Sequence, residues 1–244
     1  MKFKIYCINL YERSDRYEFM KKQFKKYNLD VSFIRNYKHK LGGKYGCFES
    51  NIQCLKDAKK NNLDVCLVLE DDIQLEPNCN FCIQYCLNFL KKNNKNIDIL
   101  FGDCRYIYFN EKYTNEIYSG KSTGSYCYFL HKKSINKILK TYTKSINTKH
   151  YDAYLYELFN KSYILIKPLV KLKPFGSDND IWSTNLFINI NQKMANYTVL
   201  HFILRNIIVK WVFVFLIKMK LNKIKNFFIN KLDKLNKLDK IENK

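Results

Sequence analysis

The sequence predicts an α/β fold, a mostly parallel sheet flanked by helices. Three observations predict it. Short apolar runs alternate with amphipathic stretches through the first hundred residues, which is the pattern of βαβ units. The run at 65–69 (V-C-L-V-L) is apolar throughout, as in a parallel strand covered on both faces. It leads straight into three carboxylates, Glu70, Asp71 and Asp72, and open α/β sheets bind ligands at the carboxyl ends of their strands.

The elements follow in order. Residues 3–10 (F-K-I-Y-C-I-N-L) read as the first strand. The polar Y-E-R-S-D-R stretch then opens a helix at 17–27, with Phe19, Met20, Phe24 and Tyr27 as its apolar face. A second strand is expected at 31–34, then a basic, glycine-bearing loop at 38–46 and a helix at about 49–61. The acidic strand follows, then a helix at 80–91 and a short strand at 97–101 ending in Gly102-Asp103. After Tyr106 the pattern loosens. A strand is expected at 124–130, helices at 133–142 and 151–159, a strand-like run at 163–172 and a loop at 173–185.

Composition bounds the reading. The 244 residues suit one α/β domain with an appendage, divided here into 1–198 and a tail at 199–244. All nine cysteines lie between Cys7 and Cys127 behind an apolar run too short for a secretory leader. Reduced thiols in a cytoplasmic setting are expected. Cys79, Cys82 and Cys86 have the spacing of a metal cluster, but also that of one apolar helix face. The net charge of +21 favours anionic partners. Without an RNP-type, zinc-finger or helix-turn-helix pattern, no nucleic acid is expected.

The tail carries eleven Lys or Arg against three Asp or Glu. Its apolar residues, among them Leu221, Ile224, Phe228, Leu232 and Leu235, recur every three or four positions among lysines. That is the composition of a basic amphipathic helix lying on an anionic membrane surface, or of a helix packed on a protein. Arg205 and Lys210 interrupt its apolar run, so a spanning helix is not expected.

In an extended chain, alternation places Glu70 and Asp72 on one side and Asp71 on the other. Their hard oxygens suit Mg²⁺ or Mn²⁺ shared with substrate phosphates. The alternative is a solvated acidic turn. Arg13 and Arg16 follow the first strand and could fork onto phosphates, or form a solvated helix start with Asp15.

The ordered set I-N-L-Y-E-R-S-D-R at 8–16, G-C-F-E-S at 46–50, L-V-L-E-D-D at 67–72, G-S-Y-C-Y-F-L at 124–130 and the Asp152 helix resembles glycosyltransferase family 25. This family includes lipopolysaccharide galactosyltransferases and collagen hydroxylysine galactosyltransferases. The match spans about residues 3–185. The resemblance implies a GT-A-like, Rossmann-type fold and a UDP-sugar donor, commonly UDP-galactose. It further implies Mn²⁺ or a similar ion held by Glu70, Asp71 and Asp72, and inversion at the anomeric carbon. It assigns Asn9, Arg13, Asp15 and Arg16 to the donor side, with Ser50 and Asn51 in the second motif. The family pattern usually continues to Ser-His, where this chain has Ser50-Asn51, and an amide cannot titrate near neutrality. Inversion needs a base for the acceptor hydroxyl. Asp152 is the first candidate, Asp103 the second, and Asp178 or Asp180 the third. The expected protein is a peripheral enzyme on the cytoplasmic face of a membrane, acting on a glycan or glycolipid. A catalytically silent binding module of the same fold is the rival.

Overall fold

The structure, a computed structural model, describes residues 1–93, 96–103 and 106–173, with the backbone alone for 106–110. The expected loop at 173–185 beyond its first residue, Asp178, Asp180 and the basic tail at 199–244 lie outside the described residues.

The first strand, β1 (Phe3–Leu10), has the expected bounds. It is followed by α1 (Ser14–Lys26), β2 (Val31–Asn36), α2 (Gly43–Lys60) and β3 (Val65–Glu70). Next come β4 (Ile73–Leu75), α3 (Cys79–Asn93), β5 (Ile99–Phe101), β6 (Tyr106–Lys112), β7 (Ile117–Thr123) and β8 (Cys127–His131). The chain then forms α4 (Lys132–Thr141), a 3-10 turn at Tyr142–Lys144, α5 (Tyr151–Leu158), β9 (Ser162–Leu165) and β10 (Val170–Leu172).

Eight strands form one mixed sheet in the order β2-β1-β3-β8-β5-β9-β7-β6. The pairings make six strands run one way, while β7 and β8 oppose them. The expected parallel core is therefore β2-β1-β3, and β8 enters antiparallel beside it. Alternation along β3 divides the core between the two faces of the sheet. Val65, Leu67 and Leu69 pack with Met20 and Phe24 of α1 and the cysteine face of α3. Cys66 and Val68 pack with Phe48, Ile52 and Leu55 of α2 and with α4 and α5. Cys79, Cys82 and Cys86 are buried and free among these apolar side chains, so they serve as core residues.

Three elements depart from expectation. Helix α2 begins at Gly43, inside the expected loop, because Gly42 turns the chain at φ 90°. A Cβ on Gly46 would come within 3.1 Å of His39 Cβ, so glycine there lets the loop lie against the first helical turn. The hairpin β6–β7 was not expected from the sequence. Its turn is closed by Thr114 Oγ1, which accepts from the backbone N–H groups of Glu116 and Ile117 at 3.3 and 3.0 Å. The strand-like run at 163–172 is split, since Pro168 cannot donate to a ladder. β9 joins the main sheet, and β10 pairs antiparallel with β4.

Gly102 ends β5 in contact with β8, where a Cβ would sit 2.5 Å from Cys127 Sγ and 3.4 Å from Leu169 Cβ. Both neighbours are fully buried. Gly102→Ala is therefore expected to destabilise the domain by about 1–3 kcal/mol through overpacking. Thermal denaturation beside the wild type checks this, and an unchanged midpoint would contradict the fit.

Candidate functional site

The carboxyl ends of β1, β2 and β3 form one ledge. Register pairs Ile8 with Ile34 and Glu70, Asn9 with Arg35, and Leu10 with Asn36. Asn9 is almost fully buried and joins the three strands. Its Nδ2 donates to Asp71 Oδ2 at 2.6 Å and to the Arg13 carbonyl at 3.1 Å, while its Oδ1 accepts from Arg35 Nε at 2.9 Å.

Asp71 points to the α1 side. Arg16 NH1 lies 2.8 Å from Asp71 Oδ1, and both side chains are buried. Burial pushes the Asp71 carboxyl above its ordinary range, and Asp72 adds to this, while Arg16 and Asn9 oppose it. Asp71 is committed to a guanidinium, and no group of three His, Cys, Asp or Glu side chains suited to a metal is present among the described residues.

Glu70 follows Cys66 and Val68 in the alternation of β3 and so belongs to the α2 side, while Asp72 lies in the turn that follows the strand. Burial raises the Cys47 thiol well above its ordinary value, and the charges of Glu70, Asp152 and Asp72 push it further. A thiol so protonated is no nucleophile; the negative charges it feels come from the end of β3 and the first turn of α5, an acidic mouth. Asp72 Oδ1 is buried and has no hydrogen-bond partner among the described residues. Such an oxygen is costly to bury unless a cation meets it. With Glu70 beside it, the donor set is hard oxygen and fits Mg²⁺ or Mn²⁺.

The remaining candidates divide clearly. Asp152, in the first turn of α5, is half-buried and accepts from Ala153 N–H at 2.8 Å. Asp103 is only 6% exposed and lies beyond β5, with β8 between it and β3. Arg13 forks onto Asp15 through Nε and NH2 at 3.0 and 2.9 Å and holds that carboxyl down at about 2. This surface pair is the helix-start alternative weighed for Arg13. Ser50 and Asn51, the residues of the second motif, bond to protein partners. Ser50 Oγ donates to the Gly46 carbonyl at 2.7 Å and accepts from Asn36 Nδ2 at 2.9 Å. Asn51 is 0% exposed. Its amide donates to the Cys47 carbonyl at 2.9 Å and accepts from the Tyr128 hydroxyl at 2.5 Å, which lies 3.2 Å from Tyr151 OH. Both residues are closed from solvent by protein partners and act inside the helix layer.

An aromatic column beside the ledge was not foreseen from the sequence. The Arg35 guanidinium lies 4.1 Å from the Tyr17 ring and 4.4 Å from the Tyr11 ring, and Tyr11 stacks on Tyr37 at 4.7 Å. Tyr37 is 71% exposed and Tyr11 44%, so the column ends in an open ring face. Its signal was available, since Tyr11 and Tyr37 each stand one residue past the end of a strand.

No family model matches the chain, and no curated protein matches it. It is similar to solved structures at low identity. One is a glycosyltransferase involved in the glycosylation of the major capsid of PBCV-1, at 12% identity and TM-score 0.47, covering 78% of this chain and 99% of that one. Another is the protein A197 from STIV, at 15% identity and TM-score 0.46, covering 73% and 87%. A third is mannose-1-phosphate geranyltransferase from Thermus thermophilus, at 9% identity and TM-score 0.40, covering 68% and 74%. Among the described residues no helix is long and apolar enough to cross a membrane.

Proposed function

We propose that this chain is an inverting hexosyltransferase of GT-A type, moving a hexose, galactose in the first instance, from a UDP-sugar to a glycan or glycolipid. One observation carries the reading: a buried carboxylate oxygen on Asp72 without a hydrogen-bond partner among the described residues, two positions from Glu70 at the carboxyl edge of the parallel strands. A divalent ion held there by Glu70 and Asp72 would supply charge stabilisation for a departing diphosphate. Tyr37 and Tyr11 offer a stacking surface for the nucleobase. β2 and β3 are two inter-strand spacings apart, roughly 10 Å, which suits a nucleoside reaching from base to phosphates. Asp152 takes the proton of the acceptor hydroxyl as its oxygen bonds to the anomeric carbon and the sugar–phosphate bond breaks. Peripheral attachment to an anionic membrane surface through residues 199–244 belongs to the same proposal and rests on the composition of that segment.

The test is a thermal-shift panel of UDP, UDP-galactose, UDP-glucose and oligonucleotides, with and without Mn²⁺, on wild type and Tyr37→Ala. A ligand that binds the native state raises its apparent stability. The expected result is a shift with UDP compounds only in the presence of metal, reduced in Tyr37→Ala. A shift with oligonucleotides alone would overturn the reading. Binding without transfer or donor hydrolysis would select the silent module.

Asp152→Asn is expected to lower turnover roughly 100-fold or more with donor affinity little changed, the pattern of a lost general base. Steady-state kinetics against the donor check it. Collapse of donor binding with turnover preserved would make Asp152 a donor ligand instead.

A further inference from the structure

On the sheet face covered by α2 and α4, away from the acidic mouth, lies a groove of about 480 Å³ lined by Lys56, Lys59, Lys60, Leu139 and Tyr142. The three lysines are exposed. None of them has a carboxylate partner among the described residues. Asp57, in the same stretch of helix, is turned away from that role, since it accepts from Lys4 Nζ at 3.0 Å and from the Tyr6 hydroxyl at 2.6 Å. Lys140 and Lys144 are exposed beside Leu139 and Tyr142 in sequence. Unneutralised ammonium groups gathered at one concavity repel one another, and an anion of several charges relieves that repulsion. The Tyr142 ring, 5.8 Å from Lys56 Nζ, and Leu139 give such a ligand an apolar wall.

We propose that this groove binds a compact phosphate-bearing group, a free oligophosphate or the phosphorylated headgroup of a lipid. It is separate from the acidic mouth. At 1.5 Å per residue, Lys56 and Lys60 lie roughly 14 and 20 Å along α2 from Cys47. The groove's charge is positive where the mouth's is negative, so it needs no metal to receive phosphate.

Lysine footprinting on the full chain tests this. The protein is acylated in EDTA, alone, with sodium tripolyphosphate, or with vesicles of phosphatidylglycerol or phosphatidylcholine, and modification is read residue by residue by mass spectrometry. The expected result is that acylation of Lys56, Lys59 and Lys60 falls about ten-fold at ten times Kd, while Lys22 and Lys25 on α1 are unaffected. Protection by both tripolyphosphate and phosphatidylglycerol identifies a headgroup that the groove reads by its phosphate. Protection by tripolyphosphate alone identifies a soluble ligand. In the K56Q/K59Q/K60Q variant, whose changes lie on exposed positions, any protection of Lys140 and Lys144 is expected to vanish with the melting temperature preserved. The Asp72→Ala variant is expected to keep full protection, so failure of the transferase reading leaves this result untouched. No protection in any arm, equal protection of all lysines, or protection of Lys140 and Lys144 that survives the triple substitution would overturn the proposal.

Discussion

Asp72→Ala is expected to lower sugar transfer by about three orders of magnitude while leaving the fold in place. The side chain lies past the end of β3, outside both hydrophobic clusters, so little packing is lost. Removing its buried oxygen, which has no hydrogen-bond partner among the described residues, even relieves a desolvation cost. What disappears is half of the proposed hard-oxygen pair. Several kcal/mol of charge stabilisation at a departing diphosphate are at stake, and about 4 kcal/mol is a thousand-fold in rate. Transfer should be measured over a titration of Mn²⁺, with circular dichroism and melting of the same preparations. Full activity at limiting Mn²⁺ would sink the assignment of Asp72. Equal loss together with a collapsed melting temperature would make its role structural.

Arg16→Met should have the largest effect on stability. It leaves Asp71 buried at the end of β3 with Asn9 as its remaining partner. Breaking a buried pair from one side costs about 3–5 kcal/mol. For a domain of this size, that is a fall in melting temperature on the order of 10 °C. The pH dependence identifies the cause. Burial already raises the Asp71 carboxyl above its ordinary 3.8, so between that value and the folded value the native state holds a proton that the unfolded chain has released. Stability from this group therefore falls as pH rises through that window and stays lower above it. Without Arg16 the folded value climbs further and the window widens upward. The deficit of Arg16→Met should be greatest near neutral pH and shrink as pH falls toward 4. Adding Asp71→Asn should restore much of the loss, because no buried charge is then left. A deficit that is constant with pH, or unrelieved in the double variant, would show that Arg16 matters through packing alone.

Both expectations turn on residues whose type was legible in the chain and whose partners were not. The strands β1, β2 and β3 and the helices between them could be read because each carries a local hydrophobic period. The alternation that set Glu70 and Asp72 apart from Asp71 follows from the same period. The hairpin β6–β7 was not read: β7 is placed by pairing with β9, and β6 by pairing with β7. The run ending at Leu172 shows the converse: continuous apolar sequence fed two different sheets because Pro168 interrupts the ladder.

At the candidate site the division is sharper. The sequence by itself determined that an acidic cluster ends a buried parallel strand and that Arg13, Asp15 and Arg16 begin the first helix. It also determined that an amide, Asn51, follows Ser50 in the second motif. Only the tertiary structure decided which charges cancel: Arg16 pairs with Asp71 across 55 residues of sequence, and Asn51 turns inward to the Tyr128 hydroxyl across 77. It alone set Tyr11, Arg35 and Tyr37 in one column. Hydrophobic periodicity is a local property that each segment carries with it. The pairing of charges, amides and rings is fixed by which elements the packed sheet makes neighbours, and no segment encodes that alone.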